Sequence, residues 1–269
     1  MSDFQIPNGP ERIVCLTEEP TEILYTLGES DRIVGISAYT KRPPEAKQDK
    51  PVVSAFVGGS VKKIKALEPD LIIGFSDVQA ELAGKLIKAG LPVLIFNQRT
   101  IQEIFEVIVS IGNLVGQKTA ARYLVASYIE RIATIRARAA KLPRRPKVYF
   151  EEWHEPMISA IRWVSELITI AGGDDIFSHL SSGRASKERF VSTHDVATAQ
   201  PDIYLASWCG KPFDRQEALK RFEGHSFPAL EKDMIVEVPS HIILQPGPAS
   251  LTAGLDFLEA TIQRWAKTI

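Results

Sequence analysis

The chain has 269 residues, 45% hydrophobic and 24% charged, an ordinary globular composition with room for one large domain or two small ones. Its 32 basic and 33 acidic side chains leave a net charge of −1, so electrostatics gives no reason to expect nucleic acid or an anionic membrane as a partner. No run of about 18 apolar residues predicts a transmembrane helix. Cys15 and Cys209 are predicted to be isolated thiols, with one long-range disulfide as the alternative.

The segment from Met1 to Pro7 has no basic region, no apolar stretch and no lipid-attachment cysteine. The chain as written is therefore expected to be cytoplasmic. A chain from which an export signal had been trimmed would read the same, so a periplasmic location stays open.

Short apolar runs alternate along the chain with helical stretches, a pattern that predicts an α/β fold. The predicted strands, in chain order, are Ile13–Leu16, Ile33–Ile36, Asp70–Gly74, Pro92–Phe96, Lys147–Glu151, Asp202–Ser207 and Met234–Val238. This alternation favours parallel sheets with helices on both faces. Ligands of such sheets bind beyond the carboxyl ends of the strands.

Two stretches of the first half recur in the second half, in the same order. Thr21–Ile33 resembles Ser165–Ile176, and each predicts a hydroxyl cap, an apolar helix face and a glycine stop. Ala66–Phe75 resembles Thr198–Trp208, and each predicts a helix end, a Pro-Asp turn and one buried strand. The repetition predicts two homologous α/β lobes.

A helical region without proline separates the two lobes. Thr100 and Glu103 predict the start of one helix, and Gln117–Leu142 predicts a second helix of about 25 residues that ends before Pro143. The second helix would span about 37 Å, enough to connect two lobes, although a surface helix of a single large domain is the alternative. The predicted organisation is an N-terminal lobe at 1–115, a linking helix at 116–143 and a C-terminal lobe at 144–269.

Aromatic side chains occur at five of six predicted strand ends. They are Tyr39, Phe56, Phe75, Trp153 and Trp208, and His241 follows the sixth strand end. Rigid rings at the mouth of a cleft suit a flat, bulky ligand. The alternative is that each ring packs beneath its own loop.

No catalytic motif was found, neither a nucleophile elbow nor a phosphate loop nor a zinc-protease helix, so no catalytic residue is predicted. A polar cluster that could ligate a metal comprises Glu151, Glu152, His154 and Glu155, with His241 from another loop. Its weak candidate ligands are Glu152, His154 and His241. Solvent-facing or helix-capping roles are the ordinary alternative for these residues. Glu18 and Glu19 precede Pro20 at a predicted helix start, where the helix dipole favours carboxylates.

The order and spacing of several segments resemble the periplasmic binding proteins for cobalamin, haem and siderophores. The segments that carry the resemblance are Arg12–Gly28, Gly35–Pro44, Ile64–Ile73 and Trp163–Gly173, and it extends over about residues 10–265. The resemblance implies two Rossmann-like lobes joined by a single long backbone helix. It also implies a substrate-binding component of an ABC importer, with no intrinsic cofactor.

Within that family the closest resemblance is to the vitamin B12 binders, which grip the corrin ring with aromatic residues. Their positions match Tyr39, Phe56 and Phe75, and Trp153, Trp208 and His241 occupy the corresponding loops of the second lobe. The implied ligand is cobalamin or another metal chelate, clamped between the lobes by a monomer. Haem binders of the family offer a Tyr or His axial ligand, which Tyr39 or His241 would supply.

One departure from the family pattern concerns its partner. The family's first-lobe helix usually carries a glutamate that docks on the permease, and Lys62 stands at that position here. Together with the N-terminus, this leaves a cytoplasmic metal- or cofactor-binding relative, a chaperone or an enzyme, as the alternative. A structural oligomerisation module is a third possibility, for which the sequence offers no apolar exposed face.

Overall fold

A computed structural model describes residues 8–268 of the chain. Met1–Pro7, on which the expectation about export rests, lies outside these described residues. The fold divides into two compact units, one extending to Ser127 and the other beginning at Tyr128. We call them the N-terminal and the C-terminal unit.

The N-terminal unit is built on a sheet of five parallel strands. The strands are β1 (Ile13–Cys15), β2 (Ile33–Ser37), β3 (Val52–Ser54), β4 (Leu71–Phe75) and β5 (Val93–Phe96). Their order across the sheet is β3-β2-β1-β4-β5, so β1 is the central strand. In the register, Ile13 lies opposite Ile33 on one side and Leu71 on the other.

The N-terminal unit has five α-helices among the described residues, and two of them begin at side-chain caps. They are α1 (Glu18–Thr26), α2 (Ala46–Asp49), α3 (Val61–Ala66), α4 (Ala80–Lys88) and α5 (Ile101–Leu114). The Ser60 hydroxyl caps α3 by accepting a hydrogen bond from the backbone N–H of Lys63. Thr100 and Glu103 form the predicted capping box of α5.

Helix α6 (Lys118–Ala139) has 22 residues and crosses the boundary between the two units. It is about 33 Å long at 1.5 Å per residue. The long helix predicted from the sequence is thus confirmed, although it ends three residues before Leu142 in a turn that leads to Pro143. The three-part division at 115 and 143 stays a prediction.

The C-terminal unit has a second five-stranded sheet. Its strands are β6 (Lys147–His154), β7 (Met157–Ser159), β8 (Asp174–Asp175), β9 (Ile203–Ala206) and β10 (Ile235–Glu237). The order is β10-β9-β6-β7, and β8 also pairs with β6. The β6–β7 pair is antiparallel, whereas β6 runs parallel to β8 and β9, and β9 to β10.

Six α-helices accompany this sheet. They are α7 (Arg162–Ala171), α8 (Thr193–Ala199), α9 (Arg215–Arg221), α10 (Pro228–Glu231), α11 (Ser240–Ile243) and α12 (Leu255–Ala266). Each of the two units is therefore an α/β layer structure. The predicted α/β fold with two lobes, mainly parallel sheets and one long helix is confirmed.

The predicted repeat is confirmed in its helix ends and corrected in its helix starts. Gly28 and Gly172 have φ angles of 76° and 99°, the left-handed conformation that ends a helix at little cost for glycine. Thr21 and Ser165 are not caps, because α1 is preceded by Thr17 and α7 by Ile161. Both helices begin about one turn earlier than the hydroxyl residues suggested, and neither of the actual caps forms a side-chain hydrogen bond.

The N-terminal unit has an apolar core between its sheet and helices. The buried members of this core are Val14, Leu16, Val53, Ile64, Ile72, Leu82 and Leu86. Both cysteines lie within the described residues, Cys15 buried in β1 and Cys209 exposed, and no disulfide joins them. Among residues 8–268, no helix has the length and apolar character needed to cross a membrane.

Candidate ligand-binding site

The N-terminal unit presents three of the predicted aromatic residues at the carboxyl ends of its strands. Tyr39 follows β2 and is 47% exposed, and Phe56 follows the neighbouring strand β3 and is partly buried. Phe75 ends β4 and is only 6% exposed, with the Arg99 guanidinium 5.3 Å from its ring centroid. The parallel sheet brings all three to one edge, and Tyr39 offers the most accessible ring.

Gln79 fixes the loop that carries Phe56. Its side-chain amide donates to the Phe56 carbonyl oxygen at 2.7 Å, and its carbonyl oxygen accepts from the Phe75 N–H at 2.9 Å. The amide also lies 3.4 Å from the Leu16 carbonyl oxygen. Gln79 is fully buried, so this one side chain holds together the ends of β1 and β4 and the loop after β3.

The segment after β2 is attached to helix α1. The Arg42 guanidinium donates to the Glu22 carboxylate at 2.9 Å, and the Glu22 side chain is only 12% exposed. The Tyr25 hydroxyl reaches Asp49 of α2 at 3.4 Å. The first contact holds the segment after β2 against the middle of α1, and the second joins the last turn of α1 to α2.

Two carboxyl groups are buried at the start of α1, directly after the central strand. Glu18 is 5% exposed and Glu19 is 1% exposed. Burial, with a smaller contribution from the neighbouring Glu19 charge, raises the pKa of the Glu18 carboxyl to about 8. Burial also raises the pKa of Glu19, to about 7, against the lowering effect of the nearby Thr17 hydroxyl. The expected position of both carboxyl groups in the first turn of a helix is confirmed. Their burial, which the sequence did not predict, adds a desolvation effect that raises both pKa values.

In the C-terminal unit, Trp153 and His154 belong to strand β6 itself. The sequence had placed them after the strand, but β6 continues to His154 because it forms a hairpin with β7. The His154 ring stacks on Trp208 at a centroid distance of 4.4 Å and lies 4.8 Å from Trp153. Trp208 follows the neighbouring strand β9 and is only 2% exposed. Strand pairing thus produces a three-ring cluster at this edge.

Glu151 is the polar centre beneath this ring cluster, with no exposed surface. One carboxylate oxygen, Oε1, accepts from Trp208 Nε1 at 2.8 Å and from Arg221 Nη2 at 2.7 Å. The other, Oε2, accepts from the Tyr149 hydroxyl at 2.7 Å. Burial alone would lower the pKa of Arg221, but the hydrogen bond and charge of Glu151 outweigh burial and raise it.

A second layer of charged groups surrounds His154. Its Nε2 atom lies 3.0 Å from Lys211 Nζ and 3.3 Å from Glu217, and Lys211 Nζ sits 4.9 Å from the Trp208 ring centroid. Glu152, also in β6, pairs with Arg189 at 2.6 Å. Arg189 is 2% exposed, so it is a buried structural cation.

The metal site considered for Glu152, His154 and His241 is not assembled. His241 lies in α11, after β10, and is partly exposed. Within residues 8–268, no group of three His, Cys, Asp or Glu side chains is placed to hold a metal ion. Glu152 is occupied by Arg189, which explains why the acidic run on β6 does not act as a ligand set.

Sequence reasoning missed the residues that support the rings. Gln79 bonds residues 23 and 63 positions away, and Arg221 bonds a carboxylate 70 positions away. Neither belongs to a recognisable motif. A local signal for Gln79 was its place four residues after Phe75, the aromatic residue that follows a predicted strand.

Two α/β units, each with aromatic side chains at the carboxyl edge of its sheet, define a two-unit ligand-binding protein. Residues 13–242 match the family model described as periplasmic binding protein, and the chain belongs to that family. The resemblance inferred from the sequence is therefore confirmed.

Several known proteins are similar over nearly the whole chain. A vitamin B12-binding protein of Vibrio campbellii is 31% identical over 263 residues, which cover 94% of this chain and 90% of that protein. Among solved structures, the apo form of the periplasmic haem-binding protein RhuT from Roseiflexus sp. RS-1 has a TM-score of 0.79 at 24% identity and covers 96% of this chain and 100% of its own. The periplasmic vitamin B12-binding protein BtuF of Vibrio cholerae has a TM-score of 0.74 at 22% identity, covering 97% and 100%. The two structures show the shared fold.

Proposed function

We propose that this protein binds a corrinoid of the vitamin B12 type and supplies it to an ABC importer from a periplasmic location. The observation that carries the proposal is the gathering of aromatic rings at the carboxyl edge of each sheet. A flat, bulky macrocycle gains affinity from rigid aromatic surface, because little side-chain entropy is lost on binding. The similarity to a vitamin B12-binding protein over 94% of the chain supports a corrinoid as the ligand.

The ligand-binding residues of this proposal lie at the strand ends of each sheet. Tyr39, Phe56 and Trp153 are the rings with exposed surface, and they are proposed to contact the ligand directly. Phe75 and Trp208 are almost fully buried, and they back the binding surface. His241 is proposed to contribute an imidazole at the carboxyl end of β10.

Titration calorimetry with cyanocobalamin tests the proposal. We expect a Kd tighter than about 100 μM, equivalent to about −5.5 kcal/mol. Tyr39→Ala, Phe56→Ala and Trp153→Ala should each weaken binding about tenfold or more, a loss of about 1.4 kcal/mol, because each removes a large apolar contact. Haem and a ferric siderophore are titrated in parallel.

Tyr123→Ala is the matched control, since Tyr123 is an aromatic residue of α6 that is 74% exposed. Its affinity should equal that of the wild type. The corrinoid proposal fails if cyanocobalamin does not bind below about 100 μM, or if haem alone binds. Equal affinity in all three strand-end variants would show that the rings are not the contact surface.

A further inference from the structure

The N-terminal unit has buried polar side-chain atoms without hydrogen-bond partners at the carboxyl edge of its sheet. The Glu18 Oε2 atom and both carboxylate oxygens of Glu19 are inaccessible to solvent and make no hydrogen bond among the described residues. Carboxylate oxygens in a folded protein are normally satisfied by donors. The nearby Thr17 hydroxyl lowers the pKa of Glu19, but it donates one hydrogen bond and can satisfy only one of these three acceptors. At least two acceptors therefore lack a donor among the described residues.

A further unsatisfied group comes from a different strand. The Thr40 hydroxyl is fully buried and also has no hydrogen-bond partner among residues 8–268. Thr40 follows β2, the strand next to β1, and its neighbour Lys41 is close enough to lower the pKa of Glu18. Unsatisfied polar groups thus follow two adjacent strands at the same edge.

These groups adjoin the proposed ligand contacts. Thr40 is next in the chain to Tyr39, and the Arg42–Glu22 ion pair holds this segment against α1. In a parallel sheet the carboxyl ends of the central strands are the usual place for a ligand. The missing donors are therefore most simply supplied by the ligand itself.

The charge of the site restricts the chemistry of those donors. Above their raised pKa values of about 8 and about 7, the two adjacent carboxyl groups are charged and repel any ligand carboxylate that is brought against them out of water. Primary carboxamides instead donate two hydrogen bonds from each nitrogen and carry no charge. Corrinoids bear carboxamides around the ring, whereas haem bears carboxylates.

Resting on the proposed function, we propose that Glu18 and Glu19 form a specificity subsite. The two carboxyl groups accept hydrogen bonds from peripheral carboxamides of the ligand and reject ligands that carry carboxylates at the same positions. The Thr40 hydroxyl completes the subsite from the neighbouring strand.

The test compares two ligands with the same metal and ring. Dicyanocobinamide carries carboxamides, and dicyanocobyrinic acid carries carboxylates in their place. Binding is measured by calorimetry at pH 9, above the raised pKa values of both glutamates, about 8 and about 7. The wild type should bind the carboxamide ligand at least tenfold more tightly.

The double variant Glu18→Gln/Glu19→Gln keeps side-chain size and removes the charge. The preference should fall to threefold or less, chiefly because the carboxylate ligand binds more tightly. Glu81→Gln is the matched control, since Glu81 lies in the same unit with a side chain that is 83% exposed, and it should keep the wild-type preference. Circular dichroism checks folding, and the single variant Glu18→Gln is used if the double variant does not fold.

Each remaining outcome is decisive. Equal binding of the two ligands by the wild type overturns the subsite and leaves the corrinoid proposal standing. If the double variant keeps the preference for the carboxamide ligand, the subsite is likewise overturned and the corrinoid proposal stands. If neither corrinoid binds below about 100 μM, the proposed function and the subsite are both overturned.

Discussion

Glu18 and Glu19 couple the stability of the protein to pH in a direction opposite to that of most carboxylates. Their pKa values in the folded protein, about 8 and about 7, lie above the ordinary value of 4.5. The folded state therefore binds more protons than the unfolded state above pH 4.5. The stability that this provides is complete below pH 4.5 and is lost as the pH rises through 7 and 8.

We predict that the free energy of unfolding falls between pH 5 and pH 8 by roughly 3 kcal/mol for each of these carboxyl groups. The Glu18→Gln/Glu19→Gln variant should lack this fall, because an amide does not titrate. At pH 8 its thermal midpoint should exceed that of the wild type by on the order of 10 °C, and at pH 5 the two should be close. Thermal melts at both pH values measure the effect, and parallel pH profiles for the two proteins would contradict it.

At the scale of elements, the Glu151 side chain joins β6 to Trp208 after β9 and to α9, in addition to the backbone pairing of β6 with β9. Its carboxylate receives three donors, from Tyr149 on its own strand, Trp208 after β9 and Arg221 at the end of α9. A buried ion pair adds little net stability when intact, but removing one partner leaves the other charge uncompensated. The three elements therefore depend on one side chain for the position of Trp208.

Glu151→Ala should destabilise the C-terminal unit by about 3–5 kcal/mol, because Arg221 loses its carboxylate and two further donors lose their acceptor. Urea unfolding followed by tryptophan fluorescence measures the change. Glu155→Ala is the control from the same hairpin, since Glu155 is exposed and only its backbone oxygen accepts a hydrogen bond, from Trp153. A loss below about 1 kcal/mol for Glu151→Ala would show that the network is dispensable.

The sequence predicts the position of a strand accurately where a single short apolar run forms that strand. All seven predicted strands are present, most with ends shifted by one residue. The strands that were not predicted, β3, β7 and β8, have three residues or fewer. Such segments owe their conformation to pairing with a longer neighbour rather than to their own pattern.

The candidate site was predicted only in part, because many of its features depend on contacts between segments that are distant in the sequence. The aromatic positions follow from local rules, because parallel strands bring their carboxyl ends to one edge. The burial of Glu18 and Glu19, the stacking of His154 on Trp208 and the ion pair between Arg189 and Glu152 depend on contacts between distant segments. Local sequence patterns do not predict such contacts.

At the scale of the molecule, the two units carry different spectroscopic signals. All four tryptophans, Trp153, Trp163, Trp208 and Trp265, belong to the C-terminal unit, and the last three are almost fully buried. The N-terminal unit contributes its own sheet and helices to the circular dichroism but no tryptophan to the fluorescence. Each unit also has its own sheet and its own buried apolar side chains.

A core substitution in the N-terminal unit should therefore separate the two signals. Leu86 of α4 has no exposed surface and packs in the apolar core, so Leu86→Ala should cost about 2–5 kcal/mol of stability in that unit. In urea, the part of the circular dichroism transition that reports on the N-terminal unit should move to a lower urea concentration. The fluorescence transition, which reports on the C-terminal unit, should keep its midpoint. The neighbouring Ile87 is 60% exposed, and Ile87→Ala should change neither midpoint by more than about 0.5 kcal/mol. If Leu86→Ala shifts both signals equally, the two units unfold as one cooperative structure and separate cores do not make them independent.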